Sequence, residues 1–88
     1  MRNSDKLACR VCGLIQPEPP WGWDGRSPKF NICNCCGAEF GYEDATVKAA
    51  KGHRQRWLDR GKVWFDPKQK PENWDFDEQF KNIPLAYR

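Results

Sequence analysis

Leu, Ile, Val and Phe are scarce in this sequence, together supplying only 15 of 88 residues. A chain so short and so poor in large apolar groups cannot rest on an ordinary aliphatic core, so some covalent or metal staple is expected. No apolar run approaches the roughly 20 residues needed to cross a bilayer, so no membrane partner is expected. The segment from Met1 to Lys6 has no apolar stretch behind its charges, so a secretory signal is not expected and the cytoplasm is the expected location. There is a single histidine, His53, and no acid or nucleophile is tied to it by spacing. Gly-rich phosphate loops and paired-carboxylate motifs are absent as well. The chain is therefore expected not to be an enzyme.

What the sequence does hold is aromatic and sulfur-rich. Five Trp, five Phe and two Tyr offer large buried area per residue, enough for a small aromatic core. Five cysteines in a chain with no secretory signal argue for thiols in a reducing compartment rather than a disulfide framework.

Four of those cysteines form two Cys-x-x-Cys-Gly knuckles, Cys9/Cys12/Gly13 and Cys33/Cys36/Gly37, about twenty residues apart. Each such turn delivers two thiolates at one corner of a tetrahedron, and two turns complete a closed site. The glycine after each pair suits a backbone that needs positive φ. One structural zinc bound by Cys9, Cys12, Cys33 and Cys36 is the expectation. Cys35 is read as a free thiol, because pairing it with Cys33 would give Cys-x-Cys with no glycine following. The site leaves no open position, which points away from catalysis. Iron is the rival metal: rubredoxins share the paired knuckles, and an iron site would make the chain an electron carrier. The formal net charge of +3 falls to near +1 once four thiolates and Zn²⁺ contribute about −2.

Around the knuckles, residues 7–14 and 29–32 read as short strands, and 17–28 as a Pro/Gly-rich loop. A basic helix is expected over residues 44–60, with Asp44 as N-cap and Gly61 as its stop. Val47, Ala50, Trp57 and Leu58 share its apolar face, and Arg54 interrupts that face. Residues 62–65 form a short apolar segment and 66–70 a turn. A second helix starts at Asp75, with Glu78 at capping-box spacing and Phe76, Phe80 and Ile83 on one face, and ends at Pro84.

Two surfaces are candidates for partners. Trp21 and Trp23, in the loop between the knuckles, are a candidate protein-interaction patch. Lys48, Lys51, Arg54 and Arg56 on the basic helix are candidate nucleic-acid contacts, against the plainer expectation of a solvated face neutralised by nearby acids.

The stretch Pro20-Trp-Gly-Trp-Asp-Gly-Arg-Ser-Pro-Lys-Phe-Asn-Ile-Cys-Asn-Cys-Cys-Gly-Ala-Glu-Phe-Gly-Tyr-Glu-Asp44 resembles small bacterial proteins related to the cysteine-rich CPCC group, as do Arg56-Trp-Leu, Gly61-Lys-Val-Trp-Phe65, Pro71-Glu-Asn-Trp74 and Glu78-Gln-Phe-Lys-Asn-Ile83. The chain departs from that group at Asn34, where Pro is usual. The resemblance implies no assigned activity; some relatives lie among toxin–immunity genes, which suggests a binding or neutralising role.

The expected architecture is a small α+β metal-stabilised domain: a zinc ribbon over 7–42, with rubredoxin-like knuckles on a short β-hairpin, followed by two helices in a 43–88 extension packed on it. The expected function is a non-enzymatic zinc protein with a structural four-cysteine site, serving as an adaptor or immunity-type module with a protein partner. A nucleic-acid-binding ribbon and a rubredoxin-like iron protein are the alternatives, and a homo-oligomer is compatible with either surface.

Overall fold

The computed structural model describes residues 3–88. Its regular elements are three α-helices, α1 (Asn3–Leu7), α2 (Val47–Asp59) and α3 (Phe76–Phe80), with 3₁₀ turns at Pro67–Gln69 and Leu85–Tyr87. Among the described residues there is no strand, so the expected β-hairpin and the strands at 7–14 and 29–32 are corrected. Each knuckle instead closes on one isolated antiparallel bridge, Ala8 with Ile15 and Ile32 with Glu39.

The pairing stops for local reasons. On the first knuckle the last rung is the Gln16 N–H to Leu7 C=O bond (2.8 Å). Leu7 is already helical, and Pro17, Pro19 and Pro20 then remove donors from the other arm. On the second knuckle the last rung runs from Phe40 N–H to Asn31 C=O (2.9 Å). Phe30 then turns to φ +60, out of the extended region.

Helix α2 begins later than its sequence suggests. Thr46 is the N-cap, its hydroxyl accepting from Ala49 N–H at 3.0 Å. Asp44, expected in that place, is fully buried and does other work: Oδ1 accepts from Gly41 N–H and Oδ2 from the Trp21 indole N–H, both at 2.8 Å. The C-terminal stop is as expected. Gly61 sits at φ +89, and the N–H groups of Gly61 and Lys62 bond back to Leu58 and Trp57. Asp75 caps α3 by accepting from Glu78 N–H at 3.2 Å, also as expected. That helix ends at Phe80 rather than at Pro84, and Ile83 is buried beyond it.

The core joins sulfur to aromatic rings. Cys9, Val11, Cys12, Cys33, Cys35, Cys36, Ala38 and Phe40 come from the knuckle region, Ala50 and Trp57 from α2, and Trp64 from the segment that follows. Trp57, Trp64, Trp74, Phe76 and Phe80 form a chain of edge-to-face contacts, with centroid separations from 5.1 to 6.4 Å. Each such pair adds about 0.5–1.5 kcal/mol beyond area burial. These rings supply what the missing aliphatics do not. No helix among the described residues is long and apolar enough to cross a membrane.

Candidate metal centre

The two Cys-x-x-Cys-Gly turns share one backbone pattern. Gly13 N–H bonds to Cys9 C=O and Gly37 N–H to Cys33 C=O, both at 2.9 Å. Cys9 N–H reaches Leu14 C=O and Cys33 N–H reaches Ala38 C=O, again at 2.9 Å. Both glycines have positive φ, +85 and +76, which an L side chain adopts only with strain. The turns face each other, and the sulfurs of Cys9, Cys12, Cys33 and Cys36 all lie within 4.8 Å of one another. Across the turns, Cys9 Sγ is 3.7 Å from Cys36 Sγ, and Cys12 Sγ is 3.6 Å from Cys33 Sγ.

Those separations test the fit to a metal. A tetrahedron with metal–sulfur bonds of about 2.3 Å has edges of about 3.8 Å. The four thiols are thus positioned to bind a metal ion with little movement. All four are 0–2% exposed, so nothing but protein surrounds the centre. Two donors already address the sulfurs: Val11 N–H toward Cys9 at 3.4 Å and the Gln16 side-chain amide toward Cys33 at 3.6 Å. Burial pushes the Cys12 and Cys36 thiols well up from their ordinary value. Hydrogen bonds from Cys12, then Cys36 and Cys9, hold Cys33 well below it.

Cys35 stays outside the four. It is buried, and its sulfur accepts from the Gln79 side-chain amide at 3.4 Å. It is therefore a free thiol without the exposure that reactivity requires.

Around the turns lies a set of contacts that the spacing did not reveal. Three further carbonyls in each knuckle are capped from residues 53–79. In the first, Arg54 Nε donates to Val11 C=O (2.6 Å), Arg54 Nη2 to Arg10 C=O (3.0 Å), and Gln79 Nε2 to Cys12 C=O (3.1 Å). In the second, Asp66 N–H reaches Asn34 C=O (2.8 Å), Phe65 N–H reaches Cys35 C=O (3.0 Å), and His53 Nε2 lies 3.0 Å from Cys36 C=O. A carbonyl only accepts, so His53 carries its proton on Nε2.

Arg54 is thereby corrected as a nucleic-acid contact. It is only 7% exposed and also donates to Tyr87 C=O at 2.5 Å. Burial pulls its pKa down, and the neighbouring charges of Cys9, Cys12 and Cys36 act in the opposite direction. The sequence did carry a signal: Arg54 and Gln79 are the polar residues that fall on otherwise apolar helix faces. Lys48, Lys51 and Arg56 are exposed on α2. The tryptophan patch divides. Trp23 is 58% exposed, whereas Trp21 is half-buried and tied to Asp44.

No family model and no solved structure matches this chain. Two curated proteins do, both from Bacillus subtilis (strain 168). The chain is 36% identical over 80 residues to uncharacterized protein YoaQ, covering 75% of this chain and 66% of the relative. It is 35% identical over 81 residues to uncharacterized protein YozI, covering 75% and 65%. Its homologues are uncharacterised small Bacillus proteins. The chain spans just under two thirds of the length of these relatives. Together with the clustered thiols, they fit a small bacterial cysteine-rich protein.

Proposed function

We propose that Cys9, Cys12, Cys33 and Cys36 hold one structural zinc ion, and that the metal-stapled chain is a non-enzymatic module that binds a protein partner as an adaptor or immunity-type protein in the cytoplasm. The observation that carries the metal reading is the closed, buried set of four sulfurs within 4.8 Å of one another. A catalytic zinc keeps a position open for water or substrate, and four thiolates leave none. Bound zinc would supply folding energy and no reaction step.

The partner reading rests on exposed apolar side chains, most of them aromatic. Trp23, Phe30, Tyr42, Val63, Phe65 and Leu85 are each more than half exposed, a heavy apolar load for so small a surface. Elemental analysis of protein purified from medium holding both metals tests the first part. One zinc per chain and a colourless solution is the expected result; a red, iron-loaded preparation would overturn it. A salt-sensitive shift with random DNA or RNA, lost on reversing Lys51 and Arg56, would move the partner from protein to nucleic acid.

A further inference from the structure

A second candidate site lies away from the thiols, where three chain segments meet. A cleft of about 430 Å³ opens between the first knuckle, the loop at 20–25 and the C-terminal residues 84–87. Arg10 lines it with its guanidinium carbon over two rings, 4.3 Å from the Trp21 centroid and 4.7 Å from the Tyr87 centroid. Two aromatic rings thus hold the cation by cation–π contact. Among the described residues, the N–H groups along its edge are almost unspent. Of five donors, one Nη2 hydrogen makes a long bond to Gly25 C=O at 3.4 Å. Among the described residues no carboxylate lies within ion-pair distance of Arg10.

The arrangement is held from beneath. The buried Arg54 uses one nitrogen, Nη2, to bond both Arg10 C=O and Tyr87 C=O, the backbones of two members of the trio. The third, Trp21, is fixed through Asp44. Preorganisation of this kind removes most of the ordering cost of binding.

We propose that this cleft binds a carboxylate carried on an apolar body, with Arg10 as its bidentate partner. A flat guanidinium held against aromatic rings, with free edge donors, matches a planar carboxylate in shape and charge. The rest of the wall selects the ligand. Pro84, Ala86 and Leu85, the last 80% exposed, offer apolar surface beside the fork. The other charged groups on the wall are Asp5, Lys6 and Asp24. Asp24 is anchored by Arg26 N–H and Ser27 Oγ, both at 2.9 Å, and these hydrogen bonds hold its carboxyl below the usual range. Lys6 donates to Trp23 C=O. With Arg10 the wall is formally neutral, so one ligand charge is tolerated better than the two of a phosphate monoester. The inference deepens the reading of the chain as a binding module by giving that binding a place and a chemistry.

The test is a two-dimensional ¹H–¹⁵N titration of the metal-loaded full chain with N-acetylleucine. Saturable shifts at Arg10 Nε–H and at the Trp21 indole N–H are expected. Acetate should shift the same signals at least about tenfold more weakly, through loss of the apolar contacts, and N-acetylleucyl-alanine should match or exceed N-acetylleucine if the natural source is a peptide terminus. Arg10→Gln should abolish the shifts while metal content stays unchanged. The proposal is overturned if the neutral N-acetylleucinamide binds as well as the acid, if inorganic phosphate binds more tightly, or if no signal saturates at millimolar ligand. The metal content of the same sample decides the zinc reading separately, so either can fail without the other.

Discussion

The two knuckles have the same turn, the same glycine and the same cross-turn hydrogen bonds, yet they are held by different means. Around the first, side chains reach in: Arg54 and Gln79 cap the carbonyls of Arg10, Val11 and Cys12. Around the second, the chain itself lies alongside, and the amides of Phe65 and Asp66 cap Asn34 and Cys35. The carbonyl caps of one knuckle are therefore open to disruption by side-chain substitution, and those of the other are largely protected from it. A backbone amide is retained in every substitution except proline; a guanidinium is not.

If the four thiols hold zinc as proposed, loss of the metal should erase the difference. Structural zinc in small domains contributes about 10–16 kcal/mol at neutral pH, more than a chain this size holds in reserve. Chelation, or Ser in place of any of Cys9, Cys12, Cys33 or Cys36, should abolish cooperative thermal unfolding followed by circular dichroism. Cys35→Ser should keep the metal. If Cys35→Ser loses metal and Cys36→Ser keeps it, the ligand set is wrong and the two turns are not equivalent.

The glycines separate the knuckles next. A methyl group on Gly13 would lie 2.2 Å from the backbone oxygen of Gln79, which cannot swing away. On Gly37 it would meet Phe65 Cδ1 at 3.3 Å, part of an exposed ring that can turn. Both variants carry the strain of positive φ, about 1–2 kcal/mol. Gly13→Ala should therefore cost more than about 4 kcal/mol, and Gly37→Ala about 2, in denaturant midpoints of the metal-loaded protein. Equal losses would show that Gln79 and the first knuckle part readily.

Arg54→Met comes third. It strands the carbonyls of Arg10, Val11 and Tyr87 and should cost about 3 kcal/mol. Arg54→Lys should recover little of this, because one ammonium cannot reproduce a fork aimed at three acceptors. A full rescue by Lys would mean that charge near the thiolates matters and geometry does not.

The same contrast explains what could be read in the sequence. The knuckles were legible because metal chemistry fixes spacing locally: two thiolates, two residues between, a glycine after. Strands were expected at 29–32 from apolar alternation and at 7–14 from a chain entering and leaving a tight turn, but pairing was cut short by helical Leu7, Pro17 and the positive φ of Phe30, which neither pattern registers. Asp44 looked like a helix cap because Asp is good at capping. Its carboxylate instead went to an indole and an amide brought close only by the fold, leaving Thr46 to start α2. Arg54 was visible as a flaw in an apolar stripe, but its three carbonyl partners lie 33 to 44 residues away in the chain. Local chemistry was readable; the assignment of polar side chains to distant acceptors was not.

His53 gives the smallest and sharpest test of the asymmetry. Among the described residues it is the one side chain that caps a carbonyl of the second knuckle, with Nε2 at 3.0 Å from Cys36 C=O. It is half-buried and lines a cavity of about 480 Å³ shared with Gly37 and Phe65, so water can reach the carbonyl once the ring is gone. His53→Ala should then cost only about 1 kcal/mol, the net value of one hydrogen bond whose acceptor is rehydrated. His53→Gln should recover part of it, as its amide can donate along a similar line. The measurement is the denaturant midpoint beside that of Arg54→Met in the same buffer. A His53→Ala loss near 3 kcal/mol would place a side chain at the centre of the second knuckle as well, and the difference between the two would then lie in burial rather than in who supplies the donor.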